Sequence, residues 1–236
     1  MLARPGLAIL AILVASALVA FLFTSAVTYA LEKLGLSPTS AILILLGSLL
    51  GGFVNVPLWR RPVHRPADEY WQAGWPWSLA SGWEEGGWAG RAFPRRLFFY
   101  QPPVVREQII AINLGGAVIP LLTSIYLLAR VPLLPMCAAT AGVAAICYVL
   151  ARPTPSVGIT IPAFIPPIAA ALLALTLAPA SAPPVAYIAG TVGTLIGADL
   201  LHLPDLQRYD AQILSIGGAG VHDGVFFAGL LAAFLA

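Results

Sequence analysis

Seven long apolar runs limit what this chain can fold into more than any other feature of its sequence. A helix needs about 20 apolar residues to cross a hydrocarbon core of about 30 Å, because it rises about 1.5 Å per residue. The runs lie at residues 6–30, 41–59, 109–129, 133–151, 157–178, 184–203 and 212–236. They predict an all-α fold: a polytopic integral membrane helical bundle with about seven transmembrane helices, forming a single membrane domain over residues 1–236.

Composition agrees with this interpretation, since 59% of the residues are hydrophobic, 9% are charged and the mean hydropathy is +0.89. The net charge of +2 gives no support to nucleic-acid binding. Cys137 and Cys147 lie in one apolar run and would point to different faces of its helix, so they cannot form a disulfide within it. The sequence predicts no cofactor.

The distribution of basic residues predicts the orientation in the membrane. Loops on one side of the seven runs carry ten Lys or Arg residues, and loops on the other carry two, Lys33 and Arg130. Because cytoplasmic loops are enriched in Lys and Arg, the N-terminus is expected in the cytoplasm and the C-terminus outside. The first run is longer than the apolar core of a signal peptide and is interpreted as an anchor.

The long loop at residues 60–108, between spans two and three, is rich in Trp and Arg. It holds five of the six tryptophans, at positions 71, 75, 77, 83 and 88. Tryptophan favours the membrane–water interface, because its ring is apolar while its N–H can stay hydrated. We therefore expect a cytoplasmic loop that lies at the interface, with a substrate lid or partner site as the alternative.

Polar or helix-breaking residues of several spans fall in the cytoplasmic half of the bilayer. They are Asn55, Asn113, Pro162, Asp199 and His202. Together they predict a polar site. Each also has a simpler interpretation: the asparagines as hydrogen bonds between helices, the proline as part of a kink, and the histidine as a solvated residue at the interface.

For two aspartates a functional role is favoured over a purely structural one, because a carboxylate in a membrane core is energetically unfavourable and rare. Asp199 lies near the end of span six, and Asp223 follows the segment "SIGGAG" in span seven. Gly220 and the preceding glycines are poor helix formers. They predict helices broken near 215–222 and, through the prolines, near 158–167. An unwound segment would bring Asp223, beside His222, to the membrane depth of Asp199, facing a water-filled pocket.

Small residues also indicate where two helices approach closely. Gly193 and Gly197 form a seam on span six that allows close helix packing. At about 100° per residue, Asp199 lies about 160° away from Gly197, so the seam and the aspartate should face different neighbours. His202 should share the face of Asp199.

Taken whole, the chain resembles a prokaryotic multi-pass membrane family described as a domain of unknown function (domain of unknown function 1614). The resemblance rests on "AINLGGAVIPLLTSIYLL", "AGTVGTLIGADLLHLP" and "SIGGAGVHDGVFFAGLL", among other segments. It implies a multi-pass protein of the prokaryotic inner (cytoplasmic) membrane, and it brings no established activity.

The segments around the two aspartates also resemble the intramembrane aspartyl proteases, namely presenilin, signal peptide peptidase and the prepilin peptidases. Those enzymes place one aspartate on a span that runs toward the cytoplasm and a second in a Gly-x-Gly-Asp motif on the next span. Asp199 and Asp223 match these positions. His222 replaces the glycine before the second aspartate, Ala198 replaces the tyrosine before the first, and no Pro-Ala-Leu segment follows. The resemblance implies a catalytic pair of aspartates and a transmembrane peptide substrate.

Other functions use the same residues. Broken helices with paired acids are also typical of an ion- or proton-coupled transporter, whose ligand would be an ion. Metal binding by Asp199, His202, His222 and Asp223 has suitable ligand types but no zinc-like spacing. A non-catalytic membrane assembly factor is a further alternative. The expected surroundings are the lipid bilayer in every case, and the sequence does not determine the oligomeric state.

Overall fold

The computed structural model describes residues 5–65, 104–154, 158–206, 213–218 and 224–236. Most of the tryptophan-rich loop lies outside these ranges, as do Gly220, His222 and Asp223. The chain divides into two compact units, one formed by Met1–Trp59 with Ile110–Ala236 and the other by Arg60–Ile109. The candidate site residues that the structure describes all belong to the first unit.

The described chain is mostly helical. Its α-helices are α1 Pro5–Glu32, α2 Pro38–Gly51, α3 Ile119–Leu127, α4 Leu133–Leu150, α5 Ile165–Leu177, α6 Ala182–Thr194, α7 Leu203–Leu206 and α8 Gly224–Leu235. Two π-helical turns adjoin them, π1 Leu114–Val118 before α3 and π2 Leu195–Leu200 after α6. Short 3-10 turns follow α3 at Leu128–Arg130 and precede α6 at Pro179–Ser181.

The described residues also include five strands, some of them partly within the predicted spans. They are β1 Asn55–Arg65, β2 Val104–Asn113, β3 Arg152–Thr154, β4 Gly158–Thr160 and β5 Ile213–Ile216. The first sheet has the order β1-β2-β5, and β3 pairs antiparallel with β4. The all-α prediction is therefore wrong for the parts of β1, β2 and β5 that lie within predicted spans, residues 55–59, 109–113 and 213–214, because apolar character alone does not distinguish a strand from a helix.

Two described helices, Ile12–Glu32 and Leu133–Leu150, are long and apolar enough to cross a membrane by length and composition. Four further apolar helices are shorter, at Pro38–Gly51, Leu114–Arg130, Ile165–Leu177 and Gly224–Leu235. Breaks were predicted before two of these, Ile165–Leu177 and Gly224–Leu235. The predicted breaks are confirmed within the described residues: residues 158–164 precede α5 without helix, and residues 213–218 form β5 and a glycine turn.

The prolines of span five mark the start of a helix and not a kink within one. Pro166 and Pro167 are buried in the first turn of α5, where a missing N–H leaves no helical hydrogen bond unmade. Pro162 lies in the preceding turn, and its carbonyl accepts a hydrogen bond from the Ile165 N–H at 3.1 Å.

Helix α6 is the centre of the core. It packs against α4, α5 and α8, and to a lesser extent against α3. Glycines make these approaches possible. A Cβ at Gly193 would lie 2.8 Å from the Val143 Cβ, and one at Gly197 would meet the Ala144 carbonyl, both on α4. The seam predicted from these two glycines is thus the α6–α4 contact.

Lys33 and Arg130, the two basic residues in the loops with few Lys or Arg residues, bind backbone groups at one end of this unit. The Lys33 ammonium donates to the Phe234 carbonyl at 3.2 Å, and the Arg130 guanidinium donates to the Gly35 carbonyl at 3.0 Å. The C-terminal ends of α1, α3 and α8 therefore lie together. Cations at helix C-termini satisfy carbonyls that lack a helical partner. The polar network described below lies beyond the other end of α2, which is 14 residues, about 21 Å, long.

The close α6–α4 contact gives a stability prediction. We expect Gly197→Ala to lower the thermal midpoint in detergent, because the added methyl group meets the Ala144 backbone and overpacking costs about 1–3 kcal/mol. At about 2–4 °C per kcal/mol, the change is measurable by calorimetry. Gly224→Ala is the matched control, since no described atom lies within 4 Å of a Cβ built there. Equal stability of the two variants would show that the seam does not limit packing.

Candidate functional site

A polar network joins the end of α2 to the start of π1. Asn113 is 1% exposed, and its side-chain N–H₂ donates to the Gly52 carbonyl at 2.7 Å and to the Asn55 Oδ1 at 3.2 Å. Its own Oδ1 accepts from the Gly116 N–H at 2.7 Å, which caps the π-helical turn. Ser215 of β5 donates to the same Asn55 oxygen at 2.6 Å. Three segments distant in sequence are therefore fixed by one pair of asparagines.

Local sequence explains why the backbones come close enough for this network. Gly51 and Gly115 face each other, and a Cβ at Gly51 would lie 2.9 Å from the Gly115 nitrogen. The Leu114 N–H donates to the Val54 carbonyl at 2.9 Å. Side chains larger than hydrogen at these two positions would push Asn113 away from the end of α2.

Asp199 lies on π2, half-buried, and faces the glycine turn that follows β5. Its Oδ2 accepts a hydrogen bond from the Gly217 N–H at 2.7 Å. Gly217 has a φ of 86°, which L-residues rarely adopt, and a Cβ there would lie 2.5 Å from the Ala117 Cβ. Only glycine fits this position, so the turn, π1 and the Asp199 carboxylate meet at one point.

A small apolar cluster lies beside this contact and brings the start of α8 to the same place. It consists of Ala117, Leu195, Ile216 and Val225, each at most 8% exposed. Members of π1, π2, β5 and α8 thus pack together. Asp223 is two residues before Val225 in the sequence and lies outside the described residues, as do His222 and Gly220.

His202 differs from the expectation of a solvated residue, since it is 6% exposed. Its Nδ1 lies 3.0 Å from the Gly197 carbonyl and 3.1 Å from the Ala198 carbonyl. Its ring packs against Tyr148 of α4 at a centroid distance of 4.9 Å. The ring therefore packs toward α4, whereas the Asp199 carboxylate contacts the β5 turn.

Two features of the site were missed from the sequence. Ser215 is a single hydroxyl in an apolar run, and its position just before the glycine pair at 217 and 218 was the only signal. The Cys147 thiol donates to the Thr194 Oγ1 at 3.8 Å in a buried contact. This contact joins α4 to α6, and nothing in the separate segments indicates it.

Pro162 does not belong to this network. It is exposed in the turn before α5, and no hydrogen bond among the described residues joins it to Asp199, Asn55 or Asn113. Within the same ranges of the chain, no group of three or more His, Cys, Asp or Glu side chains could hold a metal ion. What the described site offers is one carboxylate, oriented by a backbone N–H and flanked by a satisfied amide network.

Comparison with known proteins gives one match. A family model described as "Protein of unknown function (DUF1614)" matches residues 49–235. No curated protein and no solved structure matches the chain. Since the family model covers most of the sequence, including Asn55, Asn113, Asp199 and Asp223, the family resemblance predicted from the sequence is confirmed. The chain belongs to the family described as Protein of unknown function (DUF1614).

Proposed function

We propose that this chain is an integral membrane protein that crosses the bilayer about seven times. Large apolar side chains face outward along the helices and support this proposal. Leu134 is 82% exposed and Val149 is 77% exposed, at opposite ends of α4. Exposed apolar surfaces also run along α1, α2, α3 and α5. Contiguous apolar surface of this kind is rare on soluble monomers and is what a lipid-facing bundle requires.

The proposed orientation has the N-terminus in the cytoplasm and the C-terminus outside, in the cytoplasmic membrane of a prokaryote. Support comes from the grouped C-terminal ends of α1, α3 and α8, where Lys33 and Arg130 bind backbone carbonyls. Lys33 and Arg130, the only basic residues in loops assigned to the outer side, thus have structural roles. The remaining ten basic residues lie in loops assigned to the other side.

Within this protein, we propose an aspartyl protease-like hydrolase site formed by Asp199 and Asp223, acting on a transmembrane peptide. The single observation that carries the proposal is the 2.7 Å hydrogen bond from the Gly217 N–H to the Asp199 carboxylate. It ties the acid of π2 to the glycine segment that leads to Asp223. The buried cluster of Ala117, Leu195, Ile216 and Val225 supports the same arrangement, because it includes residues from the start of α8 and the start of π2.

Two nearby carboxylates supply the required chemistry, because they cannot both ionise easily and so share one proton. The ionised member takes a proton from water as the water oxygen bonds to the peptide carbonyl carbon. The protonated member donates its proton to the carbonyl oxygen. The C–N bond then breaks, its electron pair goes to nitrogen, and the protonated carboxyl group donates a proton to the leaving amine. The ionised carboxylate takes the proton of one hydroxyl group as the C=O bond re-forms. Asn55, Asn113 and Ser215 hold the β5 turn against π1 and so support Asp199 indirectly.

An ion- or proton-coupled carrier is the second candidate, and the broken helices favour it. Helices interrupted by non-helical backbone near the middle of the membrane are typical of carriers, in which they form the ion site. Here β5 and a glycine turn precede α8, and β4 and a proline turn precede α5. The carboxylate of Asp199 at such a break is a suitable ligand for a proton or a cation.

The orientation can be tested with reporter fusions. Alkaline phosphatase fused after Ala236 is expected to be active, and green fluorescent protein at the same position dark, because each reporter works on only one side of the membrane. A fusion within loop 60–108 should give the opposite result. A fluorescent C-terminal fusion would overturn the placement of the C-terminus outside the cytoplasm.

The hydrolase is tested by cleavage of a transmembrane peptide by the purified protein. We expect Asp199→Asn and Asp223→Asn each to lower the cleavage rate by at least about 100-fold, since each removes a proton-transfer group. The amide introduced by Asp199→Asn still offers a carbonyl oxygen to the Gly217 N–H, so the local fold should persist. Asp205→Asn is the matched control and should retain wild-type activity. Undiminished cleavage in either of the first two variants would refute the catalytic pair.

The carrier is tested by flux in the absence of any peptide. Proteoliposomes containing the wild-type protein should dissipate an imposed proton or sodium gradient, and Asp199→Asn should reduce the initial rate at least tenfold while Asp205→Asn does not. A pH-sensitive or sodium-sensitive dye inside the vesicles gives the measurement. Flux equal to that of protein-free liposomes would exclude this candidate and leave the cleavage assay to decide the function.

A further inference from the structure

The π2 turn is wider than an α-helical turn, and this width determines where Asp199 points. At its end, the Leu201 N–H donates to the Ile196 carbonyl at 3.0 Å, five residues back and not four. Single π turns inside helices are rare, and those that occur are often found at functional sites. If this turn returned to α-helical geometry, the residues after Leu195 would rotate about the helix axis. The rotation would be up to roughly 100°, the angle between consecutive residues of an α-helix. The Asp199 carboxylate would then leave the Gly217 N–H.

The His202 side chain supplies a donor to this widened turn. Its Nδ1 lies within 3.1 Å of two carbonyl oxygens, those of Gly197 and Ala198, which can only accept hydrogen bonds. Nδ1 therefore carries the hydrogen, and this contact fixes the tautomer. Gly197 packs closely against Ala144 and Cys147 of α4, and a carbonyl in such a buried contact gains from a side-chain donor.

Tyr148 keeps the imidazole in this position. The two rings are 4.9 Å apart and inclined at 38°, and Tyr148 belongs to α4, which also carries Ala144 and Cys147 against Gly197. Helix α4 therefore packs against both partners in this contact, the backbone at Gly197 and the His202 ring.

We propose that His202 is a positioning residue that holds the π2 turn open and so directs the Asp199 carboxylate to the Gly217 N–H. It acts through the backbone of residues 197–198. Its effect on turnover rests on the proposed hydrolase function. Its effect on the Asp199–Gly217 hydrogen bond does not depend on that function.

The test compares three variants of the full-length protein in detergent. His202→Asn retains a side-chain N–H₂ at nearly the place of Nδ1, and it is the conservative variant. His202→Phe retains the ring on Tyr148 without the donor, and His202→Gln moves the donor further from the backbone. Thermal unfolding shows which variants are folded, and the Gln variant replaces the Phe variant if the latter does not fold.

The first measurement is hydrogen exchange of the Gly217 amide by mass spectrometry of peptides that cover residues 213–218. We expect exchange at least tenfold faster in His202→Phe or His202→Gln, and within twofold of wild type in His202→Asn. Unchanged exchange in the folded Phe and Gln variants would overturn the proposal. So would equally fast exchange in all three variants, because the donor would then not be what matters.

The second measurement is cleavage of a transmembrane peptide, with kcat and KM determined separately. We expect kcat to fall at least tenfold in the Phe or Gln variant with KM within twofold, and the Asn variant to restore kcat. Absence of cleavage by the wild-type protein would refute the proposed hydrolase and leave the exchange result to decide the role of His202. Normal kcat in a variant whose Gly217 amide exchanges fast would overturn the effect on turnover.

Discussion

Backbone groups left without helical partners are the constraint on which this structure depends. In an apolar environment, each N–H and C=O at a broken helix end needs an internal partner, because no water is present to replace it. The described polar side chains supply these partners. Asn113 forms hydrogen bonds with the Gly116 N–H and the Gly52 carbonyl. His202 forms hydrogen bonds with two carbonyls of π2, and Asp199 accepts one from the Gly217 N–H. At the opposite end of the unit, Lys33 and Arg130 do the same for three further carbonyls.

This constraint relates the structural and the functional interpretations of the polar residues. Asn55 and Asn113 use their hydrogen bonds to fix β5 and π1, which agrees with a packing role. Asp199 is different, because a neutral amide would satisfy the Gly217 N–H equally well. A carboxylate at that point has chemical capacity that the backbone does not require. The proposed hydrolase and the carrier both use this capacity, and the break before α8 is needed for either.

The sequence predicted where the helices break and left the backbone conformation at the breaks open. The glycines at 217 and 218 and the prolines near 162–167 identified both places where helix stops, since these residues are poor helix formers whatever surrounds them. The strand conformation of residues 55–59, 109–113 and 213–214 was not predicted, because an apolar strand and an apolar helix differ little in composition. His202 was expected to be solvated, and Tyr148, which covers it, lies on a different helix far back in the sequence.

By itself, the sequence determined the apolar helices, the separation of the Gly197 seam from Asp199 and the identity of the acids, because these follow from local composition and periodicity. The family followed from the resemblance of whole segments. The tertiary structure decided which polar groups meet. The contact of Asn55 with Ser215 spans 160 residues, and that of Asp199 with Gly217 spans 18. Such contacts depend on how glycine pairs let backbones approach one another, as at Gly51 with Gly115 and at Gly217 with Ala117. The sequence shows where the small residues are but not which residues they contact, since these contacts depend on packing between distant segments.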